Sequence, residues 1–156
     1  MRIRLIAVGR RMPKWVTTAF DDYARRLPHE CRLELTEINP GTRRGQGDAQ
    51  RAIAEEDARI VKTLSTDMDV IALTVDGKPW STDTLAHDLR DWMGDGRDRA
   101  LLIGGPDGLG PQSLAAAGSR RSLSQLTLPH PLVRVIVAEQ LFRAHSMLIG
   151  HPYHRA

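Results

Sequence analysis

The sequence predicts an α/β fold, a mostly parallel sheet with helices on both faces, carried by one domain over residues 1–156. Three observations predict it. Strand-like apolar runs alternate with amphipathic helical stretches along the whole chain, the pattern of a sheet whose strands are joined by helices. Two of the runs, Val70-Ile71-Ala72-Leu73-Thr74-Val75 and Ala100-Leu101-Leu102-Ile103, are almost wholly apolar, as strands covered on both faces are. No repeat, linker or low-complexity segment divides the chain, whose 156 residues are the usual size of one domain.

Each element has a local reason. Arg2 to Val8 suits a buried strand, broken by Gly9. Pro13 fits a first helical turn, and Trp15 to Leu27 reads as an amphipathic helix ended by Pro28. Arg32 to Ile38 alternates apolar with polar, which marks a strand with one wet face near a sheet edge. Pro40 to Gly47 is a flexible basic loop, after which Asp48 caps a helix running to Leu64. The strand Val70–Val75 is followed by a turn at Asp76-Gly77-Lys78-Pro79. Ser81 or Thr82 caps the next helix, which reaches about Met93 and ends at Gly94-Asp95-Gly96. Ala100–Ile103 is a strand, a glycine-rich loop Gly104–Pro111 follows it, and a short helix runs through Ala117. Leu123 to Leu128 is a strand or extended loop, and Leu132 to Leu148 is a long helix.

Composition narrows the function classes. The chain is 41% hydrophobic and 26% charged, which excludes a disordered protein. A net charge of +3 permits a polyanionic partner without requiring one. The lone Cys31 excludes an internal disulfide and a cysteine-rich zinc site. Met1 to Val8 has too short an apolar run for a signal peptide, and no stretch approaches the roughly 20 apolar residues of a membrane span. The expected location is therefore the cytosol.

The last long helix is apolar around most of its circumference, through Val133, Val135, Ile136, Val137, Leu141, Phe142 and others. Such a helix must be covered on nearly all sides. A sheet covers one side, so a second subunit is expected on the other; a helix wholly inside one subunit is the alternative. In open α/β sheets ligands bind beyond the carboxyl ends of the strands, here Gly9, Asp76-Gly77 and the Gly104–Gly110 loop. That loop lacks the Lys and Ser/Thr of a phosphate loop, and Gly9 opens no dinucleotide turn. No metal site is expected, since His130, His145, His151 and His154 match no ligand spacing. The tail gathers Pro152, Tyr153, His154 and Arg155. A tyrosine can stack on a base, a histidine can carry a proton near neutral pH, and an arginine can hold a phosphate; packing of the aromatic on the last helix is the plainer alternative. Of the paired arginines, Arg43-Arg44 in its glycine loop is the best placed for a phosphate backbone.

Four segments together carry a resemblance: Gly104-Gly105-Pro106-Asp107-Gly108-Leu109, Leu126-Thr127-Leu128-Pro129-His130-Pro131-Leu132-Val133-Arg134-Val135, Glu139-Gln140-Leu141-Phe142-Arg143-Ala144 and Tyr153-His154-Arg155. In order and spacing the chain resembles, over its whole length, the ribosomal RNA large subunit methyltransferase H family of the SPOUT superfamily. The resemblance implies a SPOUT fold with a C-terminal trefoil knot, and S-adenosylmethionine as methyl donor, bound in the knot at the interface of a homodimer. It implies methylation at N3 of a pseudouridine in helix 69 of 23S ribosomal RNA, in the assembled ribosome. By position it assigns Leu73, Gly104, Leu123, Ser124, Gln125, Leu126, Thr127 and Leu128 to the cofactor, and places Tyr153, His154 and Arg155 toward the RNA. Among these, His154 is the candidate proton acceptor, Arg155 the group that stabilises developing charge, and Tyr153 the stacking ring. Phe142 stands where the family usually has Tyr, and His145 where it has a large aromatic. Two other classes fit the same residues, a non-catalytic ribosome-associated protein and a SPOUT methyltransferase with another RNA target.

Overall fold

Every strand pairing in the sheet is parallel. The computed structural model describes residues 1–45 and 47–155. Along it run β1 (Arg2–Val8), α1 (Lys14–Ala24), β2 (Arg32–Ile38), α2 (Ala49–Val61), β3 (Asp69–Pro79), α3 (Thr82–Asp95), β4 (Arg99–Ile103), α4 (Pro111–Ala116), β5 (Ser119–Ser122) and α5 (His130–Leu148). The strands lie in the order β2-β1-β4-β3-β5, so the alternating strand β2 is an edge strand, as its pattern predicts.

Strand alternation sorts the core into two layers. Ile3, Leu5, Ala7, Ile71, Leu101 and Ile103 face one side, where Phe20 of α1, Leu85 and Leu89 of α3, and Val137, Ala138 and Leu141 of α5 cover them. Ile6, Val8, Val70, Ala100 and Leu102 face the other side, with Ile60 of α2. Truncating a fully buried leucine such as Leu89 or Leu101 in such a core costs about 2–5 kcal/mol.

Four boundaries differ from the expectation, each for a local reason. α1 ends at Ala24 rather than Leu27, and single turns carry the chain on, with Arg26 N–H donating to Tyr23 O and Leu27 N–H to Ala24 O. α2 ends at Val61 rather than Leu64, and single turns follow it, with Thr63 N–H donating to Ile60 O and Leu64 N–H to Val61 O. The expected turn at Asp76–Pro79 is a continuation of β3, with a break in register against β5 between Leu73 and Lys78. There Gly77 is needed for a close approach, since a Cβ on it would lie 2.6 Å from the Arg121 backbone. The last strand is Ser119–Ser122, and 123–128 is irregular. Arg121 is held at that edge by Asp88 at 3.3 Å and by the Trp80 ring at 5.6 Å, while Trp80 Nε1–H donates to the same carboxylate at 2.8 Å. At α3 local chemistry acts as read: the Ser81 hydroxyl accepts from Thr84 N–H at its start, and Gly96 ends it in the left-handed conformation. At α2 it does not: Asp48 stands at the helix start, but its carboxylate accepts from Arg44 N–H at 2.8 Å instead of from the helix. Within the expected loop 40–47, Gln46 lies outside the described residues.

Candidate active site

The carboxyl ends of β3 and β4 open on one cavity of about 700 Å³. The segment 123–130 closes it from the other side. Seven of the eight positions expected to hold a cofactor line it: Leu73, Gly104, Leu123, Ser124, Leu126, Thr127 and Leu128. Gln125 does not line it and is exposed.

One wall is the glycine-rich loop. A Cβ on Gly104 would lie 2.5 Å from the Gly108 carbonyl carbon, so the loop folds back on itself only because that side chain is absent. Gly108 N–H donates to Gly105 O at 3.0 Å to close the turn. From beneath, two adjacent carboxylates of α2 hold the loop at both ends. Asp57 accepts from Gln112 N–H at 2.8 Å, Ser113 N–H at 2.7 Å and the Ser113 hydroxyl, at the start of α4. Glu56 is 2% exposed and takes both Nη atoms of Arg43, at 2.8 and 3.2 Å, together with Gly41 N–H at 2.8 Å. Arg43 Nε–H then donates to Asp107 Oδ2 at 2.9 Å, in the middle of the loop. Arg43 is thus spent inside the protein, and the expected phosphate contact at Arg43-Arg44 falls to Arg44 alone.

Sequence reasoning missed Glu56 and Asp57. The signal was present: Glu56 shares a helix face with Ala52 and Ile60, four residues away on either side, and a charge on an apolar stripe needs a buried partner.

The opposite wall is held locally. Ser122 Oγ–H donates to Ser124 O at 3.0 Å, and Leu126 N–H donates to Ser124 Oγ at 2.9 Å. Leu126 is 73% exposed although it lines the cavity. Where this segment becomes α5, the fully buried Arg134 fixes the helix start, donating to Gly9 O at 2.9 Å and pairing with Glu37 at 2.8 Å. One turn earlier His130 lines the cavity. Burial holds its imidazole below the ordinary range, the nearby Arg134 charge adds to this, and Glu56 opposes it.

The tail forms a second cluster. Residues Pro152–His154 make a short 3-10 turn against α5. The Tyr153 ring packs 4.6 Å from Phe142 and 6.4 Å from Tyr23, with the Arg143 guanidinium 5.1 Å from its centre. Its hydroxyl donates to Glu139 at 3.0 Å. Burial, with Tyr23 and Glu139 alongside, raises the phenol well above its usual range. His154 has a buried Nδ1 with no partner, and Arg155 is exposed. Tyr153, His154 and Arg155 do not line the cavity of their own chain. Among the described residues no three His, Cys, Asp or Glu side chains converge as a metal site would require.

An all-parallel sheet of this strand order, with helices packed on both faces, is a fold seen before. The family model described as "Predicted SPOUT methyltransferase" matches residues 1–154, and the chain belongs to that family. Two solved structures share the fold at low identity. A methylase family protein of Neisseria gonorrhoeae is 15% identical, with a TM-score of 0.58 and coverage of 96% of this chain and 93% of that one. A "probable methyltransferase" of Bordetella pertussis is 17% identical, with a TM-score of 0.59 and coverage of 92% and 93%. Among curated relatives, one from Alkalilimnicola ehrlichii is 58% identical over the whole of both chains. Another, from Chromohalobacter salexigens, is 53% identical over 99% of this chain and all of its own. Both carry the name ribosomal RNA large subunit methyltransferase H.

Proposed function

We propose that this protein is a cytoplasmic, homodimeric, single-domain methyltransferase that uses S-adenosylmethionine to methylate N3 of a pseudouridine in helix 69 of 23S ribosomal RNA, in the assembled ribosome. The observation that carries the reading is the cavity itself, whose lining joins apolar side chains to the open backbone of a glycine loop. A flat adenine needs a dry slot and a few amide and carbonyl partners, and Leu73, Leu109, Leu123 and Leu128 with Gly104 and Gly105 offer both. Among the described residues lining the space, Arg120 is exposed to solvent and Asp76 is a carboxylate, and His130, held toward its neutral form, suits a positively charged donor. The names of the full-length relatives support the ribosomal target.

When bound, the donor would supply a methyl group activated by its sulfonium, with the neutral thioether as leaving group. The chain's own residues then have to position the base and manage its proton. Leu126, Thr127 and Leu128 exclude water from one side of the slot, and the Gly104–Gly108 backbone fixes the other. The N3 imide must lose its proton to become a nucleophile, and His154 takes it, directly or through water. Arg155 stabilises the negative charge that spreads to the flanking carbonyls. Tyr153, rather than stacking on the base as its residue type suggested, anchors the tail through Phe142 and Glu139 so that its two neighbours project.

Since the tail and cavity of one chain do not meet, a second copy joins them. The half-covered apolar side chains Leu132, Val135 and Ile136 on α5 provide the surface for it. The first test is calorimetric titration with S-adenosylmethionine, with the mass in solution measured alongside. Saturable binding to a dimer, followed by methyl transfer to ribosomes lacking the modification and not to free transcripts, is the expected result. No binding by a folded dimer would favour a non-catalytic ribosome-associated protein, and transfer to naked RNA would favour another target. Normal turnover by His154→Ala would remove the proton-acceptor role.

A further inference from the structure

The loop joining β1 to α1, residues 9–14, leaves the sheet beside the carboxyl end of β4, where the cavity wall begins. Its inner side is bound to that region. Gly9 lies against Met12 and against His130, which lines the cavity, and its carbonyl accepts from Arg134. Its outer side is unused. Arg10, Arg11 and Lys14 are exposed, and none forms an ion pair among the described residues. Arg11 has φ +56°, the single non-glycine residue in the left-handed region among those described. Backbone of this kind persists where packing or function holds it and clusters at binding sites. Next to these cations stands Trp15, 57% exposed at the first turn of α1. The other two tryptophans, Trp80 and Trp92, pack against each other at 6.0 Å.

We propose that Trp15 with Arg10, Arg11 and Lys14 is a second RNA contact, in which the indole stacks on an unpaired base and the three cations hold the flanking phosphates. This rests on the RNA substrate proposed above and adds where that RNA is gripped outside the cavity. Charge selects the occupant. A flat exposed indole among three unpaired cations, with no carboxylate within the group, complements a polyanion that carries aromatic faces. A second copy of this chain is less suited, because the α5 face left for it is aliphatic at Leu132, Val135 and Ile136. The position serves a protein too small for a separate RNA-binding domain: bases beside the target can be held within one loop of the reacting centre.

The test measures binding of the full-length protein to unmodified 70S ribosomes over a range of salt. Trp15→Ala is expected to weaken binding about tenfold, as loss of one stacked base does. Trp15→Phe, which keeps a ring, stays within about twofold of the parent on the same ground. Replacing Arg10, Arg11 and Lys14 together by Gln should lower the slope of log affinity against log salt by about two, for three phosphate contacts on a single strand. Heat of S-adenosylmethionine binding and mass in solution should match the parent in all three. Unchanged ribosome affinity in both Trp15→Ala and the triple variant would overturn the proposal. So would a lower mass for Trp15→Ala, which would place the indole between copies, or photocrosslinks from position 15 to ribosomal protein and not to rRNA. A parent protein that neither binds nor methylates ribosomes would instead overturn the RNA reading on which this rests.

Discussion

The two walls of the cavity are built by opposite means. The glycine loop has few side chains with which to hold itself, so α2 holds it from below: Asp57 grips the start of α4, and Glu56 reaches Asp107 through Arg43. The 123–128 wall carries three leucines yet is tied by short-range bonds, one from Ser122 and one within itself, and Leu126 stands 73% exposed. A backbone surface that must meet a ligand in one geometry has to be fixed in advance, because a loose amide cannot be re-aimed without cost. A side-chain surface can close after the ligand arrives. One wall therefore stores its order in the fold, and the other is left free to gain order when a ligand arrives.

The sharpest way to break that contrast is to cut the support under the fixed wall. Asp57→Ala removes an acceptor of three hydrogen bonds and leaves buried N–H groups at Gln112 and Ser113 without partners. The expected loss is about 3 kcal/mol of folding stability, or a fall in melting temperature of ~2–4 °C for each kcal/mol in a chain of this size. Calorimetric melting checks it, and a melting point within a degree of the parent would show that α2 does not hold the loop.

Next in size is a change within the loop. Gly104→Ala puts a methyl group 2.5 Å from the Gly108 backbone, which cannot yield as a flexible side chain would. The loop must shift by a fraction of an ångström or more, and misplacement on that scale lowers turnover on the order of 100-fold. Single-turnover methyl transfer measures this. The melting temperature should fall less than for Asp57→Ala, since no buried partner is orphaned.

Leu126→Ala probes the other wall and should invert the pattern. Because Leu126 is mostly exposed in the free protein, truncation should change stability by no more than about 0.5 kcal/mol. If the side chain closes over the ligand, its burial of about 1.5–3 kcal/mol is lost, and cofactor affinity falls at least tenfold. Equal affinity for parent and variant would mean that the wall stays open when the ligand is bound.

The same division explains what the sequence made legible. Element spans follow from periodicity and local caps, so β1, β2, α3 and α5 fall within two residues of expectation. The wall formed by 123–128 was assigned by resemblance, and five of its six residues line the cavity. The supports of the other wall were legible only in part: Glu56 interrupts the apolar stripe of Ala52 and Ile60, but the loop that Glu56 and Asp57 hold is not marked in the helix itself. Arg43 misled for the same reason: two arginines between glycines look like a phosphate contact, and only the partner sixty-four residues away, Asp107, shows the first to be internal. Asp76-Gly77 misled through turn chemistry, since Gly77 serves a close strand approach and not a reversal. Chain-distant partners are the common factor; local patterns do not record them.

The smallest expected effect lies where the walls join, at His130. Burial and Arg134 lower its pKa, with Glu56 acting weakly the other way. In the unfolded chain the imidazole takes a proton near its ordinary value of about 6.5, whereas the native site resists until the pH is lower. The native state therefore binds fewer protons in that window, and stability is full above about pH 6.5 and declines as the pH falls through it. His145, lowered by burial against a weaker opposing Glu30, contributes in the same direction. Only His130 faces the cavity. Binding of a cationic methyl donor should thus be flat through neutral pH and weaken only below the ordinary imidazole range, as a second positive charge appears beside the first. Titrating S-adenosylmethionine affinity between pH 8 and 5 in the parent, His130→Gln and His145→Gln separates the two. The His130 variant should lose the acid decline and the His145 variant should keep it. A decline that survives His130→Gln would assign the proton to another group and leave the histidine a purely structural place at the join.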